Sequence, residues 1–141
     1  MNDKITIRSF LICEDMRQEV TGLQSLIGVF ADKLITVQLP VQVPKLVFRI
    51  AFHSEEDFAA DCSFSIVAPS GKRVFSNPQP IRMEVTKDLL NVCALGWLRA
   101  QFEEPGVYRF QFKINEGHED VVGTLRIDVV PAGQLIEDAQ K

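Results

Sequence analysis

A run of charged side chains between two apolar segments is the first stretch that could carry chemistry. Within residues 9–30, SFLICEDMRQEVTGLQSLIGVF, the charges are Glu14, Asp15, Arg17 and Glu19. Calcium binds several carboxylate oxygens supplied by loops, usually with Asp or Asn at alternate positions and Gly in the turn. This stretch lacks that spacing. We therefore expect a structural turn in which Arg17 pairs with Glu14 or Asp15, with a partner contact or a metal site as the alternatives.

A second acidic run, at residues 54–57, follows a segment with strand periodicity. Paired carboxylates can perform acid–base chemistry when their surroundings separate their pKa values, but the neighbouring residues indicate no pocket. Asp57 and Asp61 could complete a divalent-cation site if the loops at 14–19 and 54–61 met at one end of the fold. A calcium- or ligand-binding protein that uses these two loops is therefore the alternative function.

Nucleophilic catalysis has few candidate residues in this chain. His53 and His118 are the two histidines, and Cys62 is the nearest possible nucleophile to His53. Cys62 falls on the predicted inward face of its strand, where an apolar environment leaves a thiol unreactive. No GxSxG, HExxH or phosphate-loop pattern occurs. The sequence therefore predicts a protein that is not an enzyme and holds no cofactor.

The three cysteines indicate the compartment. Cys13, Cys62 and Cys93 are far apart, and each lies in an apolar run. An odd number without paired Cys or His spacing predicts three buried, reduced thiols in a cytoplasmic protein, with no zinc site.

Length and charge exclude several partner classes. The chain has 141 residues, a net charge of −4 and no basic cluster longer than Lys72-Arg73. Nucleic-acid binding depends on basic patches that neutralise phosphates, so nucleic acid is not expected as a partner. No apolar run approaches the roughly 20 residues that span a bilayer, and the first ten residues do not resemble a secretory signal. We expect no membrane contact.

Period-two alternation of apolar side chains predicts the fold. In 46–52, 62–68, 107–115 and 124–130, apolar residues point to one face and mostly polar ones to the other, which is typical of half-buried strands. Turn residues separate about nine such strands, and helix is limited to single turns at 14–21 and 86–91. The sequence predicts an all-β, antiparallel immunoglobulin-like or C2-like β-sandwich, with one domain at 1–131 and a polar tail at 132–141.

One turn motif refines this fold prediction. Glu104-Pro105-Gly106-Val107-Tyr108 stands at the entry to a predicted strand. In immunoglobulin-like sandwiches a tyrosine at this corner hydrogen-bonds through its hydroxyl to the backbone a few residues upstream. Tyr108 either has that role or is simply the first core aromatic of its strand.

The segment 92–102 carries apolar residues on both faces and is the best sequence candidate for partner binding. We predict that the partner binds at Leu95, Trp97 and Arg99, because Trp and Arg are favoured at interface hot spots. The alternative is that Leu95 and Trp97 pack under a loop or under the N-terminal segment. Together with the proline-punctuated segment 37–46, expected at a sheet edge, they predict a protein-binding module that could also self-associate.

The opening stretch also resembles a known family. The run FLICEDMRQEVTGLQSLIGVFAD is similar to the N-terminal signature of an uncharacterised bacterial domain family, with a CED-R-E…SLIG string near the start. Its members also carry a Pro-Gly-x-Tyr turn late in the chain. The resemblance implies a β-sandwich from bacterial or phage-derived genomes and implies no activity.

Overall fold

A computed structural model describes residues 4–133 of the protein, and within them the chain forms ten strands. The bounds are β1 (Ile5–Gln18), β2 (Gln24–Phe30), β3 (Lys33–Thr36), β4 (Val41–Ser54), β5 (Phe58–Val67), β6 (Arg73–Ser76), β7 (Ile81–Val85), β8 (Asn91–Phe102), β9 (Gly106–Ile114) and β10 (Asp120–Val129). The all-β prediction is confirmed, with ten strands rather than about nine. Most of the predicted polar tail, residues 134–141, lies outside the described residues.

The strands form two sheets. The first sheet has the order β2-β1-β4-β8, and all its pairings are antiparallel. The second has the order β3-β10-β9-β5, and the far side of β5 pairs with both β6 and β7. β3 pairs parallel to β10, whereas the other neighbours in this sheet are antiparallel. The chain therefore crosses from the first sheet to the second at β3 and returns at β4.

Aromatic rings fill the space between the sheets. Phe48 on β4 lies 5.0 Å from Phe64, 5.5 Å from Phe75 and 5.5 Å from Phe110, measured between ring centroids. All three contacts are edge-to-face, the geometry that the ring quadrupoles favour. The alternation read from the sequence is confirmed in three segments, whose inward residues are buried: Leu46, Phe48, Ile50 and Phe52; Cys62, Phe64, Ile66 and Ala68; Tyr108, Phe110, Phe112 and Ile114.

The outer face of the first sheet departs from the prediction. Val47 and Ala51 on this face were expected in water, yet they are 4% and 1% exposed, and Cys13 is fully buried. Part of the cover comes from the β1–β2 hairpin: Met16 lies in one shallow cleft with Val47.

A second contact shows that the hairpin folds back over the sheet. Arg49 Nε donates to Gln24 Oε1 at 2.8 Å, although Arg49 pairs with Leu11 while Gln24 pairs with Gln18. Along a straight strand, the seven residues from Leu11 to Gln18 would put about 23 Å between these positions. The hairpin must therefore bend toward β4.

The pairing within the hairpin is irregular at Gly28. The β1–β2 pairing skips Glu14 and Gly28, and Gly28 has a φ of +66°, which side chains with a Cβ rarely adopt. The pairing of β1 with β4 ends near the same level, at Cys13–Val47. The first part of β4 therefore pairs only with β8 among the described strands, which agrees with the sheet edge expected for its proline-punctuated segment.

The facing of β9 gives a direct test of the core. Phe110 is 1% exposed and contacts Phe10 and Phe48, whereas the neighbouring Arg109 is exposed. We expect Phe110→Ala to lower the free energy of unfolding by about 3–5 kcal/mol, as core aromatic truncations do. Arg109→Ala should lower it by less than about 0.5 kcal/mol. Urea denaturation followed by fluorescence measures both values, and equal costs would contradict this facing.

Candidate partner-binding cleft beside an open strand edge

The charged stretch at residues 14–19 forms polar contacts that stabilise the β1–β2 hairpin. Glu14, Asp15 and Arg17 lie on β1, so the turn expected at 14–21 is wrong for most of its length. Asp15 Oδ1 accepts a hydrogen bond from Lys45 Nζ at 2.9 Å, and Arg17 lies 3.5 Å from the same carboxylate. The bond from Lys45 is the main cause that holds the pKa of Asp15 below its usual value. Glu19 accepts from Ser25 Oγ at 2.9 Å across the hairpin. The expected local ion pair thus involves Asp15, and the stretch also ties the hairpin to β4.

The two acidic loops do not meet. Ile5 pairs with Ser54 and Cys13 pairs with Val47, so the residues at 54–57 lie beside the start of β1 and the charged stretch at its end. Nine residues of strand separate them by about 30 Å. The prediction of a joint cation site formed by the loops at 14–19 and 54–61 is therefore wrong. Among residues 4–133, no three His, Cys, Asp or Glu side chains are grouped closely enough to hold a metal ion.

The histidines and Cys62 do not form a catalytic pair. Cys62 points into the core, whereas His53 lies on the outer face of β4, where its Nδ1 accepts a hydrogen bond from Arg8 Nε at 2.8 Å. His118 is exposed in the β9–β10 hairpin. The expected helical turn at 86–91 is a non-helical turn, which the side chain of Asn91 closes through hydrogen bonds to Thr86 and Leu89.

The predicted binding residues divide between the two faces of β8. Leu95 and Trp97 point inward and pack against the core while half-buried. The Trp97 ring lies 5.2 Å from Phe75 and 5.5 Å from Phe102. Arg99 is exposed and has a φ of 55°. Leu95 and Trp97 thus pack against the core between the sheets rather than under a loop or the N-terminal segment, and their role in binding remains a prediction.

Trp97 also forms a wall of a surface cleft. The cleft holds about 260 Å³ and lies between the β8 and β6 sides of the sandwich, lined by Lys72, Arg73, Val74, Trp97, Gln101, Glu103, Glu104 and Tyr108. Two of the charged side chains that line the cleft are held by residues outside it. Arg73 forms an ion pair with Glu119 at 3.0 Å, and the Glu104 carboxylate accepts a hydrogen bond from Ser70 Oγ at 2.8 Å. The cleft therefore combines an aromatic wall with a rim of both charges.

The tyrosine corner stands at the same end of the molecule. Tyr108 Oη donates to the Glu104 carbonyl at 3.0 Å and accepts from the Glu104 N–H at 3.1 Å. The hydrogen bond predicted from the Glu-Pro-Gly-Val-Tyr motif is confirmed. Burial raises the pKa of the Tyr108 hydroxyl, since the charged form would lose its hydration. The corner fixes the β8–β9 turn and, through Glu104, the β5–β6 turn beside it.

β8 presents an open backbone edge next to this cleft. It pairs with β4 from Asn91 to Phe102, and no described strand pairs with its other side. Residues 91–98, NVCALGWL, contain neither a charged residue nor proline. Leu98 is 70% exposed on the outer face. Natural sheets usually protect such an edge with charge, proline or a bulge.

Sequence reasoning missed Leu98, Lys72 and Glu104 as parts of this region. The period-two pattern assigned Leu98 to a face, but burial of that face depends on how far the β1–β2 hairpin reaches. Lys72 and Glu104 belong to turns that are distant in sequence, and Pro-Ser-Gly and Glu-Pro-Gly marked only the turns themselves.

Comparison with known proteins places the chain in a family. A family model described as a family of unknown function, DUF6941, matches residues 8–129. The chain belongs to this family. No curated protein matches the sequence.

Among the solved structures with a similar fold is a DNA glycosylase. It is the Pseudomonas fluorescens alkylpurine DNA glycosylase AlkC bound to DNA containing an abasic site analog, with 7% sequence identity and a TM-score of 0.50. The match covers 89% of this chain and 31% of the glycosylase chain. At this identity the likeness concerns the fold alone. No helix within residues 4–133 is long and apolar enough to cross a bilayer.

The tyrosine corner yields a test that depends on pH. Tyr108→Phe should lower the free energy of unfolding at pH 7 by about 1–2 kcal/mol, because the backbone of Glu104 loses its partner. The raised pKa means that the folded protein holds the phenolic proton more tightly than the unfolded chain. The contribution of the Tyr108 hydroxyl to the free energy of unfolding is therefore fully present below the pKa of the unfolded chain, about 10. It is lost as the pH rises through the pKa of the folded protein.

We therefore expect the stability difference between wild type and Tyr108→Phe to shrink above about pH 10. Urea titrations at several values between neutral and alkaline pH measure it. A difference that stays constant across this range would contradict a buried, hydrogen-bonded hydroxyl.

Proposed function

We propose that this DUF6941 protein is a non-enzymatic, cytoplasmic protein-binding module whose partner adds a strand to the open edge of β8. The observation that carries the proposal is this edge, which runs for twelve residues with one side unpaired among the described strands. Backbone hydrogen bonds would supply affinity, and pockets for alternate side chains would supply specificity.

Comparison with the other edges favours β8. β3 and β6 have four residues each and carry Lys33 and Arg73, and β7 carries Arg82 and Glu84. β2 is uncharged, but it has seven residues and its pairing is interrupted at Gly28. β8 is thus the longest edge without a charge in its central part, until Arg99 near its end.

The cleft at Trp97 supplies the side-chain part of the proposal. A strand laid along β8 would place its own side chains over Leu98 on one face and toward the cleft on the other. The half-buried indole offers a rigid apolar surface, and Lys72 and Glu103 stand at the rim. Tryptophan in such a position is the residue type that most often dominates binding energy.

The same features support finer proposals on fold, partner and setting. The tyrosine corner supports an immunoglobulin-like sandwich. An open edge can also pair with the same edge of a second copy, so self-association is one form of the proposed binding. Three free cysteines support a cytoplasmic setting, and the CED-R-E…SLIG string supports a bacterial or phage-derived origin.

Leu98 provides the test, because it is exposed and its replacement leaves the core intact. Leu98→Asp should change the free energy of unfolding by less than about 0.5 kcal/mol. It should reduce binding by roughly tenfold, since a charge beside the edge opposes strand addition. Light scattering measures self-association, and affinity capture from a bacterial lysate with quantitative mass spectrometry measures binding to other proteins.

The matched control is Leu89→Asp, which alters a leucine of similar exposure, 61%, in the turn before β8 at the other end of the sandwich. This variant should bind as wild type does. Equal binding by wild type, Leu98→Asp and Leu89→Asp would discard the β8 edge as the site.

A further inference from the structure

Arg99 on β8 is held in a backbone conformation that its residue type disfavours. Its φ of 55° lies in the left-handed region, where a Cβ crowds the following carbonyl oxygen. The other described residues with a positive φ are Gly22, Gly28, Gly71, Gly106 and Asn115. Glycine and asparagine are the residue types that adopt this region most readily. Arg99 is therefore the described residue whose type conflicts with its backbone.

A proline on the neighbouring strand explains the irregular backbone at this point but not the arginine. The β4–β8 pairing skips Pro44 and Arg99, which lie opposite each other, and proline has no N–H to donate to the ladder. Trp97 and Ala100 both contact the core although they are three residues apart, so β8 changes face between them. Glycine or asparagine at position 99 would adopt the same backbone without crowding.

No contact within the described part of the molecule compensates for this strain. Arg99 is exposed, and its guanidinium forms no hydrogen bond or ion pair with any residue of 4–133. Asn115, which also has a positive φ, differs because its Oδ1 accepts a hydrogen bond from the Asp61 N–H at 2.9 Å. Backbone strain of this kind is concentrated at functional sites. The strain at Arg99 therefore points to a ligand of its side chain.

We propose that Arg99 binds a carboxylate of the segment that adds to β8, so the partner is an extended, acidic segment of another protein. The proposal rests on the proposed function and specifies the chemistry of the partner. A guanidinium binds a carboxylate through two parallel hydrogen bonds, which fix its position as well as its charge. Because Leu98 beside Arg99 is 70% exposed, the partner segment should carry an apolar side chain next to its acidic one.

Charge distinguishes this partner from a second copy of the chain. The twelve residues of β8 include no Asp or Glu, so the β8 edge of another copy offers no carboxylate to Arg99. Lys45, which pairs with Leu98 across the sheet, already forms an ion pair with Asp15 at 2.9 Å. Arg99 thus presents an unpaired positive charge at the point where the uncharged part of the edge ends.

Thermal stability tests the strain separately from binding. In the full-length protein, Arg99→Gly should raise the thermal midpoint by about 2–4 °C, because glycine adopts a positive φ without crowding. Arg99→Gln should stay within about 1 °C of wild type, since glutamine meets the same crowding as arginine. Differential scanning calorimetry measures both midpoints. A lower midpoint for Arg99→Gly than for wild type would overturn the proposal.

Binding is measured with peptides selected on the full-length wild-type protein from a phage-displayed library of random linear sequences. We expect the selected peptides to carry an acidic residue beside an apolar one. A selected peptide is then synthesised together with a twin in which its acids are replaced by the corresponding amides. Arg99→Gln should bind the acidic peptide about 10–100-fold more weakly than wild type, which is typical of a hydrogen bond to a charged group. The twin should bind both proteins equally.

Arg109→Gln is the matched control, because Arg109 is an exposed cation on β9 of the other sheet, and this variant should bind the acidic peptide as wild type does. Binding that Leu98→Asp abolishes but Arg99→Gln leaves unchanged would overturn this inference alone and retain the β8 edge as the site. Peptides whose binding Leu98→Asp does not change, or a selection that yields no peptide, would overturn the proposed function and this inference together.

Discussion

Edge-to-face packing of phenylalanine rings between the two sheets is the contact on which the other features depend. Phe48 on β4 touches rings from β5, β6 and β9, so one side chain links the first sheet to three strands of the second. The ring contacts continue outward from Phe75 to Trp97, and from Trp97 through Phe102 to Tyr108. The wall of the surface cleft is thus an extension of the core, and its shape is as rigid as the packing behind it.

The alternation of β9 shows why much of this core could be read from the sequence. Successive side chains of a strand point to opposite faces, so Tyr108, Phe110, Phe112 and Ile114 had to share one side. The tyrosine corner was predictable for a similar reason, since both hydrogen-bonding groups lie within five residues of chain. The same rule was insufficient for Val129, which continues an inward series but is 45% exposed beyond the end of the core.

The candidate site was less predictable, because it depends on contacts between distant segments. Nothing near Glu14 or Asp15 indicates that β1 continues to Gln18 or that Asp15 meets Lys45 of β4. The apolar residues on both faces of 92–102 indicated that both faces of this strand would be buried. This pattern does not indicate that Trp97 packs against the core while Leu98 is exposed to solvent. The separation of the two acidic loops follows from the antiparallel register of β1 with β4, which no local pattern encodes.

The parallel pairing of β3 with β10 has a consequence for how the protein is made. β3 ends at Thr36, and its neighbour in the sheet ends at Val129, more than ninety residues later in the chain. At about 5–20 residues per second, a ribosome needs several seconds to supply that neighbour. During this interval the nascent β3 lacks its described neighbour in the second sheet, and the sandwich can close only after β10 has emerged. The second sheet can therefore be completed during translation only once β10, the last of the ten described strands, is available.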